Sequence, residues 1–415
     1  KIKLRGDKVS KIIVIGGGPA GMMAAIKAAE KHDVILVERN EKLGKKLYIT
    51  GKGRCNVTSS KDISEFFDYI PTNPYFLYSP LYTFTNEDAI KFFNDRNIKL
   101  KVERGDRVFP SSDKSSDIIY ALEKELINRN VKILLNKRIT RIYKEDSNIK
   151  YVETEKGEKI KGDYFILCTG GVSYPQTGSE GDGHKIAKKL GHNIKELKPS
   201  LVPLETKEEW VKDLQGLALK NVEIRIIDSK NKTLYKNFGE MLFTHFGISG
   251  PIVLTASSVI DRDNLKVFIN LKPALSSNDL DERIQKDFKK YCNKDFSNSL
   301  NDLLPKKLID IIINLSKIDP NKKVNSITRE ERKSLVYLLQ NLPLTVKGKR
   351  PIKEAIVTSG GVDVLNIDPS TMKSKIVNNL YFAGELIDVD AFTGGFNIQI
   401  ALSTGYLAGL KVGEN

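Results

Sequence analysis

The stretch Lys11-Ile-Ile-Val-Ile-Gly-Gly-Gly-Pro-Ala-Gly-Met-Met-Ala-Ala-Ile-Lys-Ala-Ala-Glu30 decides the fold. Four apolar residues, Ile12 to Ile15, read as a buried strand that runs directly into Gly16-x-Gly18-x-x-Gly21 and an alanine-rich helix with no breaker before Lys31. Gly16 makes the tight turn, Gly18 lets a diphosphate approach the backbone, and Gly21 lets the helix close on the strand. Pro19 and Ala20 lie between them, where the helix N-terminus offers amide donors and a positive dipole end.

A glycine turn alone is a weak signal, and its surroundings strengthen it. A second strand, Asp33-Val-Ile-Leu-Val, ends in Glu38, 22 residues after Gly16, where a carboxylate accepts hydrogen bonds from an adenosine ribose. The same carboxylate would repel a 2′-phosphate. Behind it, residues 39–56 are too rich in glycine and charge for a regular element. There Lys45, Lys46 and Arg54 are placed to offset phosphate charge, while Gly51 and Gly53 permit close backbone approach. Cys55 lies in the same loop, where a small buried thiol is the plainer reading of it than a contact to the bound dinucleotide.

At 415 residues the chain exceeds what one core usually supports, so two or three domains are expected. No apolar run reaches the length of a membrane span, and residues 1–10 lack the apolar centre of a signal peptide, so a cytoplasmic protein is expected. Cys55, Cys168 and Cys292 form no C-x-x-C pair, which disfavours a disulfide framework and a dithiol relay. The four histidines have no metal-ligand spacing, and no metal is expected. The net charge of +15 raises the question of a nucleic-acid partner, but the lysines are spread along the whole chain and read better as solvated faces than as one basic patch.

Further along, a helix opens at Thr85 with Asp88 as capping-box partner, a hairpin turns at Gly105-Asp106, and a helix over about 115–130 leads to a strand at 131–135. Another hairpin turns near Asp146-Ser-Asn148 and Lys156-Gly157, ahead of the apolar strand Tyr164-Phe-Ile-Leu-Cys-Thr-Gly-Gly171. Residues 200–271 alternate in short β-like runs, whereas 278–341 read as three helices. The chain then returns through a strand over 353–358 and through Leu380-Tyr-Phe-Ala-Gly384-Glu385, and Thr393-Gly-Gly395-Phe-Asn397 opens a final helix.

That return favours flavin over nicotinamide. A nicotinamide enzyme spreads its dinucleotide over two Rossmann halves and has no need of a late helix on the first sheet. Reduced flavin is anionic around N1 and the C2 carbonyl, and a helix N-terminus at Gly395-Phe-Asn397-Ile398 would direct amide donors at that charge. Glu385 is suited to accept from ribityl hydroxyls. FAD is the expected cofactor, with NAD(P)H as a transient electron donor.

Several motifs recur together: Gly16-Gly-Gly-Pro-Ala-Gly21, Gly53-Arg-Cys-Asn-Val-Thr58, Thr169-Gly-Gly-Val-Ser-Tyr-Pro175, Thr177-Gly-Ser-Glu-Gly-Asp-Gly183, Thr244-His-Phe-Gly-Ile-Ser-Gly-Pro251, Thr358-Ser-Gly-Gly-Val362 and Phe382-Ala-Gly-Glu385 to Asn397. With them the chain resembles, nearly end to end, a family of three-domain bacterial NAD(P)/FAD-dependent oxidoreductases that includes an aminoacetone oxidase and a 3-oxo-Δ4 reductase of bile-acid type. The resemblance implies an α/β fold in which a Rossmann-type FAD-binding domain, 1–192 and 354–415, is split by an inserted β-barrel-like domain, 193–274 and 342–353. A helical subdomain, 275–341, completes it and carries no matching motif. The resemblance implies FAD contacts at the glycine turn, Glu38, Arg39, Arg54, Asn56, Ile139, Thr169, Gly170, Glu385, Asn397 and Ile398, with a small-molecule substrate between the FAD and inserted domains. Position 184 is commonly an aromatic residue such as Tyr in that family, and His184 receives no role.

For proton transfer the sequence offers His245, whose reference pKa lies near neutrality, and the hydroxyls of Tyr174 and Tyr48. Each has an ordinary packing alternative. The expected activity is hydride transfer between FAD and a small molecule. A flavin-dependent RNA-modifying enzyme, suggested by the charge, and a flavin-binding protein without turnover are the other readings.

Overall fold

A computed structural model describes residues 9–414. Residues 1–8, most of the stretch read for a leader, lie outside the described residues. The chain forms two compact units, one from residues up to Ser200 and from Ile352 onward, the other spanning Leu201–Pro351.

The first unit is built on a five-stranded sheet ordered Leu380–Phe382, Tyr164–Leu167, Lys11–Ile15, Asp33–Val37, Lys132–Leu134, every pair parallel. Ile12 to Ile15 and Phe165 to Leu167 are almost wholly buried, as an all-parallel sheet covered on both faces requires. Strand order changes direction at Lys11–Ile15: the chain first builds outward through Asp33–Val37 and Lys132–Leu134, then crosses to Tyr164–Leu167 on the other side. Such a switch point opens a crevice at the carboxyl ends of the strands. Two helices from opposite ends of the sequence, Pro19–Ala28 and Phe396–Lys411, pack on each other beside the sheet. Glycine makes that approach possible, since a Cβ at Gly405 would lie 2.2 Å from the Ala20 carbonyl oxygen and one at Gly409 2.3 Å from that of Ala24.

The second unit holds a closed six-stranded barrel, made by Leu204–Thr206, Gly247–Ser249, Thr233–Thr244, Ala218–Ile227, Lys266–Asn270 and Leu342–Lys349 in that order round the wall. Helices Ser277–Lys290, Lys306–Ser316 and Arg329–Gln340 are inserted between its last two strands in sequence and share one apolar core with it. The α/β class, with a Rossmann-type parallel sheet and a separate barrel, is therefore the one expected.

Most elements fall where local pattern puts them. The capping box of Thr85 and Asp88 starts helix Asn86–Asn94, and the hairpin Leu100–Glu103 with Arg107–Pro110 turns at Gly105-Asp106. Two stretches differ. Residues 39–56 contain a short helix, Lys45–Ile49, nucleated behind Gly44 at φ +67° and anchored by buried Leu47, so glycine and charge there shape a helix end instead of an irregular loop. Residues 353–358 are not one strand: Ile352–Glu354 forms a single 3-10 turn before strand Val357–Ser359, which pairs antiparallel with Lys198–Ser200.

Candidate active site

Because the central strands are parallel and in register, with Ile15 beside both Val37 and Leu167 and Leu167 beside Phe382, the residues after them emerge at one level on one edge. Those residues are Gly16 to Gly18, Glu38, Thr169-Gly170 and Gly384-Glu385. All belong to the first unit.

The glycine turn has three distinct environments. A Cβ at Gly16, φ +107°, would lie 2.4 Å from the Cys168 carbonyl oxygen, and one at Gly21 only 1.8 Å from that of Gly16. Turn and helix are thus pressed together with no room for a side chain. At Gly18 the opposite holds, with nothing within 4 Å of an added Cβ. Helix Pro19–Ala28, which Gly18 caps, has no side-chain cap and no acid in its first turn. Its positive end faces open space, the arrangement an incoming diphosphate requires.

Glu38 is buried at the end of the second strand. The amide of Gly17 donates to its Oε2 at 2.7 Å, and the backbone and side-chain nitrogens of Asn40 donate to Oε1 at 2.8 and 2.7 Å. The carboxylate is thereby aimed at the turn. Arg39 reaches Asp182 and the Gly178 carbonyl and pairs with Glu180, while Arg138 makes paired bonds to Asp182. Ile139, buried at the start of strand Ile139–Glu145, follows a segment bonded to the backbone of Glu38 and Asn40.

On the other side of the switch point, Glu385 is the hub of a polar cluster. Lys46 donates to its Oε2 at 2.6 Å and to Ser173 Oγ at 2.7 Å. The Thr358 amide donates to Oε1 at 2.8 Å, and Ser173 Oγ lies 3.2 Å from it. Both carboxylate oxygens are held, which fixes Glu385 at the strand end. Gly384, φ +74°, turns the chain there with room for no more than a hydrogen, since an added Cβ would meet that of Ala20 at 2.8 Å.

The C-terminal helix begins at Gly395, φ +99°, where a Cβ would strike Thr58 at 2.4 Å. It too lacks a side-chain cap and first-turn acids. Asn397 turns its amide back on the preceding loop, accepting from the Ala391 amide at 2.9 Å and donating to the Ala391 carbonyl at 2.7 Å, and Ile398 next to it is half-buried. The side chain shapes the loop and leaves the helix amides to meet a ligand.

Two buried oxygens at this edge, Asn56 Oδ1 and Thr169 Oγ1, have no hydrogen-bond partner. Buried orphans of that kind cost about 1–3 kcal/mol each, and a polar ligand would remove the penalty. With open space at Gly18 and two uncapped helix ends, the residues fit a flavin dinucleotide laid across the edge.

Other candidates have different surroundings. The Arg54 guanidinium is engaged by Asp113 and Glu103 and stacks on Phe109. Those two bonds raise its pKa above the ordinary arginine value, so its charge is already matched within the protein. Lys45 pairs with Glu41 at 3.2 Å, and Gly53, φ +83°, has open space before it. Burial pushes the Cys55 thiol up to about 12, which rules out a thiolate at neutral pH. Tyr48 is 51 % exposed. Tyr174 sits in a left-handed conformation at φ +51°, and burial raises its hydroxyl pKa, so it keeps its proton. His245 belongs to the barrel unit, exposed at the turn after strand Thr233–Thr244 with its ring edge-on to Phe246.

Sequence reasoning missed Ser173 and Thr358, which bind Glu385, and His184, buried without a ring partner. Ser173 and Thr358 carried a signal only as members of the motifs Thr169–Pro175 and Thr358–Val362, and His184 as a histidine two residues after Asp182 in a glycine-rich helix start.

The family described as HI0933-like protein Rossmann domain matches residues 10–411. A 3-dehydro-bile acid delta(4,6)-reductase of Clostridium scindens is 29 % identical over 414 residues, 98 % of this chain and 100 % of that protein. A ribosomal RNA dihydrouridine synthase of Escherichia coli is 30 % identical over 395 residues, covering 95 % and 96 %. Among solved structures, a 3-ketosteroid delta1-dehydrogenase of Sterolibacterium denitrificans superimposes with a TM-score of 0.52 at 12 % identity, over 97 % of this chain and 98 % of its own, a likeness of fold.

Proposed function

This chain belongs to the HI0933-like Rossmann family, a FAD-binding oxidoreductase family, and on that premise we propose that it is a reductase that saturates a carbon–carbon double bond conjugated to a carbonyl in a small molecule. One observation carries the cofactor half of this reading: parallel strand ends bring an open, uncapped glycine turn, two carboxylate anchors, Glu38 buried and Glu385 half-buried, and a second uncapped helix to one edge. The substrate half draws on chemistry that two relatives share. A bile-acid delta(4,6) reductase and a dihydrouridine synthase both add hydrogen across a double bond that a carbonyl polarises, in a steroid ring or in uracil.

Bound FAD would supply the redox chemistry, passing a hydride to the electrophilic β-carbon after recovering two electrons from NAD(P)H. The protein's own work is placement and charge. The Pro19–Ala28 N-terminus would hold the diphosphate, Glu38 would take the ribose hydroxyls, and Glu385, fixed by Lys46, would take the ribityl chain. The Phe396–Lys411 N-terminus would offset negative charge on the ring when it is reduced. The proton for the α-carbon comes from a protein acid, for which Tyr174, Tyr48 and His245 are the candidates; Tyr174, kept protonated by burial, is the first to test.

A second reading, a uridine in RNA as substrate, is favoured by the dihydrouridine synthase relative and by the +15 charge. Both readings meet one experiment. The protein is reduced anaerobically with NADPH or NADH, then mixed with a steroidal dienone or with ribosomal RNA lacking dihydrouridine. Flavin reoxidation with loss of the enone absorbance supports the first reading, and dihydrouridine formation supports the second. Flavin that neither pyridine nucleotide reduces, or that neither acceptor reoxidises, sinks both.

A further inference from the structure

His184 lies in helix Asp182–Lys189 and is 4 % exposed, yet neither ring nitrogen has a hydrogen-bond partner. A neutral imidazole carries one N–H donor and one lone-pair acceptor, so both functions are left unmatched. The other histidines are served. His32 bonds the Val412 carbonyl at 3.0 Å, His192 bonds the Ala187 carbonyl and Ser374, and His245 is exposed to water.

The position of His184 gives the orphaned ring a meaning. The preceding residue, Gly183, lies against the strand-end threonine so closely that an added Cβ would sit 1.9 Å from Thr169 Oγ1 and 3.0 Å from Leu386 Cδ1. Thr169 Oγ1 is itself an orphan. The charge of Glu385 and a backbone contact from Leu386, outside hydrogen-bond geometry, both act on the ring, so it belongs to the edge where the third and fourth segments of the site, Thr169-Gly170 and Gly384-Glu385, emerge. Burial outweighs that carboxylate and depresses the imidazole to about 4, which keeps the ring neutral. A neutral donor, one residue along from a glycine packed on an unpaired hydroxyl, suits an oxygen-rich ligand without adding charge.

We propose that His184 is a further cofactor contact, donating a ring N–H to an oxygen in the diphosphate–ribityl part of FAD beside Thr169. The inference rests on the FAD reading above, and its test separates the two. Protein carrying 15N-labelled histidine is stripped of flavin and titrated with FAD while the ring nitrogens are followed by NMR. His184→Phe and His184→Gln are titrated in parallel by flavin fluorescence. FAD loading should move the His184 ring resonances and leave one tautomer. His184→Phe should weaken FAD binding about tenfold, the scale of one lost hydrogen bond of ~1.4 kcal/mol, while His184→Gln stays within about threefold. FAD that binds wild-type protein without moving the His184 signals overturns the proposal and leaves the FAD reading intact, as does His184→Phe binding FAD like wild type. Failure of the wild-type protein to bind FAD at all overturns both.

Discussion

His184 titrates near 6.5 in an unfolded chain and near 4 in the fold, because burial disfavours its cation more than Glu385 favours it. Between those values the unfolded chain binds a proton that the folded chain does not. This contribution to stability is therefore whole above about pH 6.5 and is lost as the pH falls towards 4, reaching at most about 3 kcal/mol. The urea-unfolding stability of wild type should fall relative to that of His184→Gln between neutral pH and about pH 4.5; a difference that does not change with pH would refute the buried neutral ring. At this scale the sequence speaks where partners are near one another along the chain. Glu38 is legible because its offset from Gly16 is set by one strand, one helix and one turn. The bond from Lys46 to Glu385 spans 339 residues, and no periodicity links the two. An orphaned imidazole is likewise invisible, since partnership is a property of the folded environment.

Elements were legible where amphipathic period and capping agree, as in helices Asn86–Asn94, Ser277–Lys290 and Arg329–Gln340, each with its capping box. They were not legible where an element is shorter than one hydrophobic period. Helix Lys45–Ile49 buries a single leucine, and the turns Ile63–Tyr69 and Pro74–Leu77 are 3-10 segments pinned by Phe66 and Leu77. The last helix packs on Pro19–Ala28 through Gly405 and Gly409, and that packing makes a prediction. In Gly405→Ala the new methyl would stand 2.2 Å from the Ala20 carbonyl, forcing apart the two helices that flank the site. A loss of about 1–3 kcal/mol, or a Tm lower by at least ~3 °C, is expected together with weaker flavin binding. Gly348→Ala, whose methyl meets nothing closer than 3.6 Å, should change the Tm little. Equal Tm values for the two variants would contradict the close helix contact.

For the whole molecule, the parallel Rossmann sheet was legible from its first strand, because a glycine turn after a buried strand admits few folds. The barrel was legible only as alternating short runs, since closure depends on pairings such as Leu204 beside both Ile248 and Lys349 that no local pattern encodes. Among the described residues no helix is long and apolar enough to cross a membrane. The central claim is that a flavin diphosphate lies against the turn at Gly18, and Gly18→Ala tests it most directly. The backbone there, φ −78°, accepts alanine, and the methyl meets no protein atom within 4 Å, so the folded chain should be as stable as wild type. FAD titrated onto the two flavin-free proteins should bind wild type stoichiometrically and Gly18→Ala at least about tenfold more weakly, with unchanged Tm in the absence of flavin. Equal affinity for both proteins, or no FAD binding by wild type, would contradict the account.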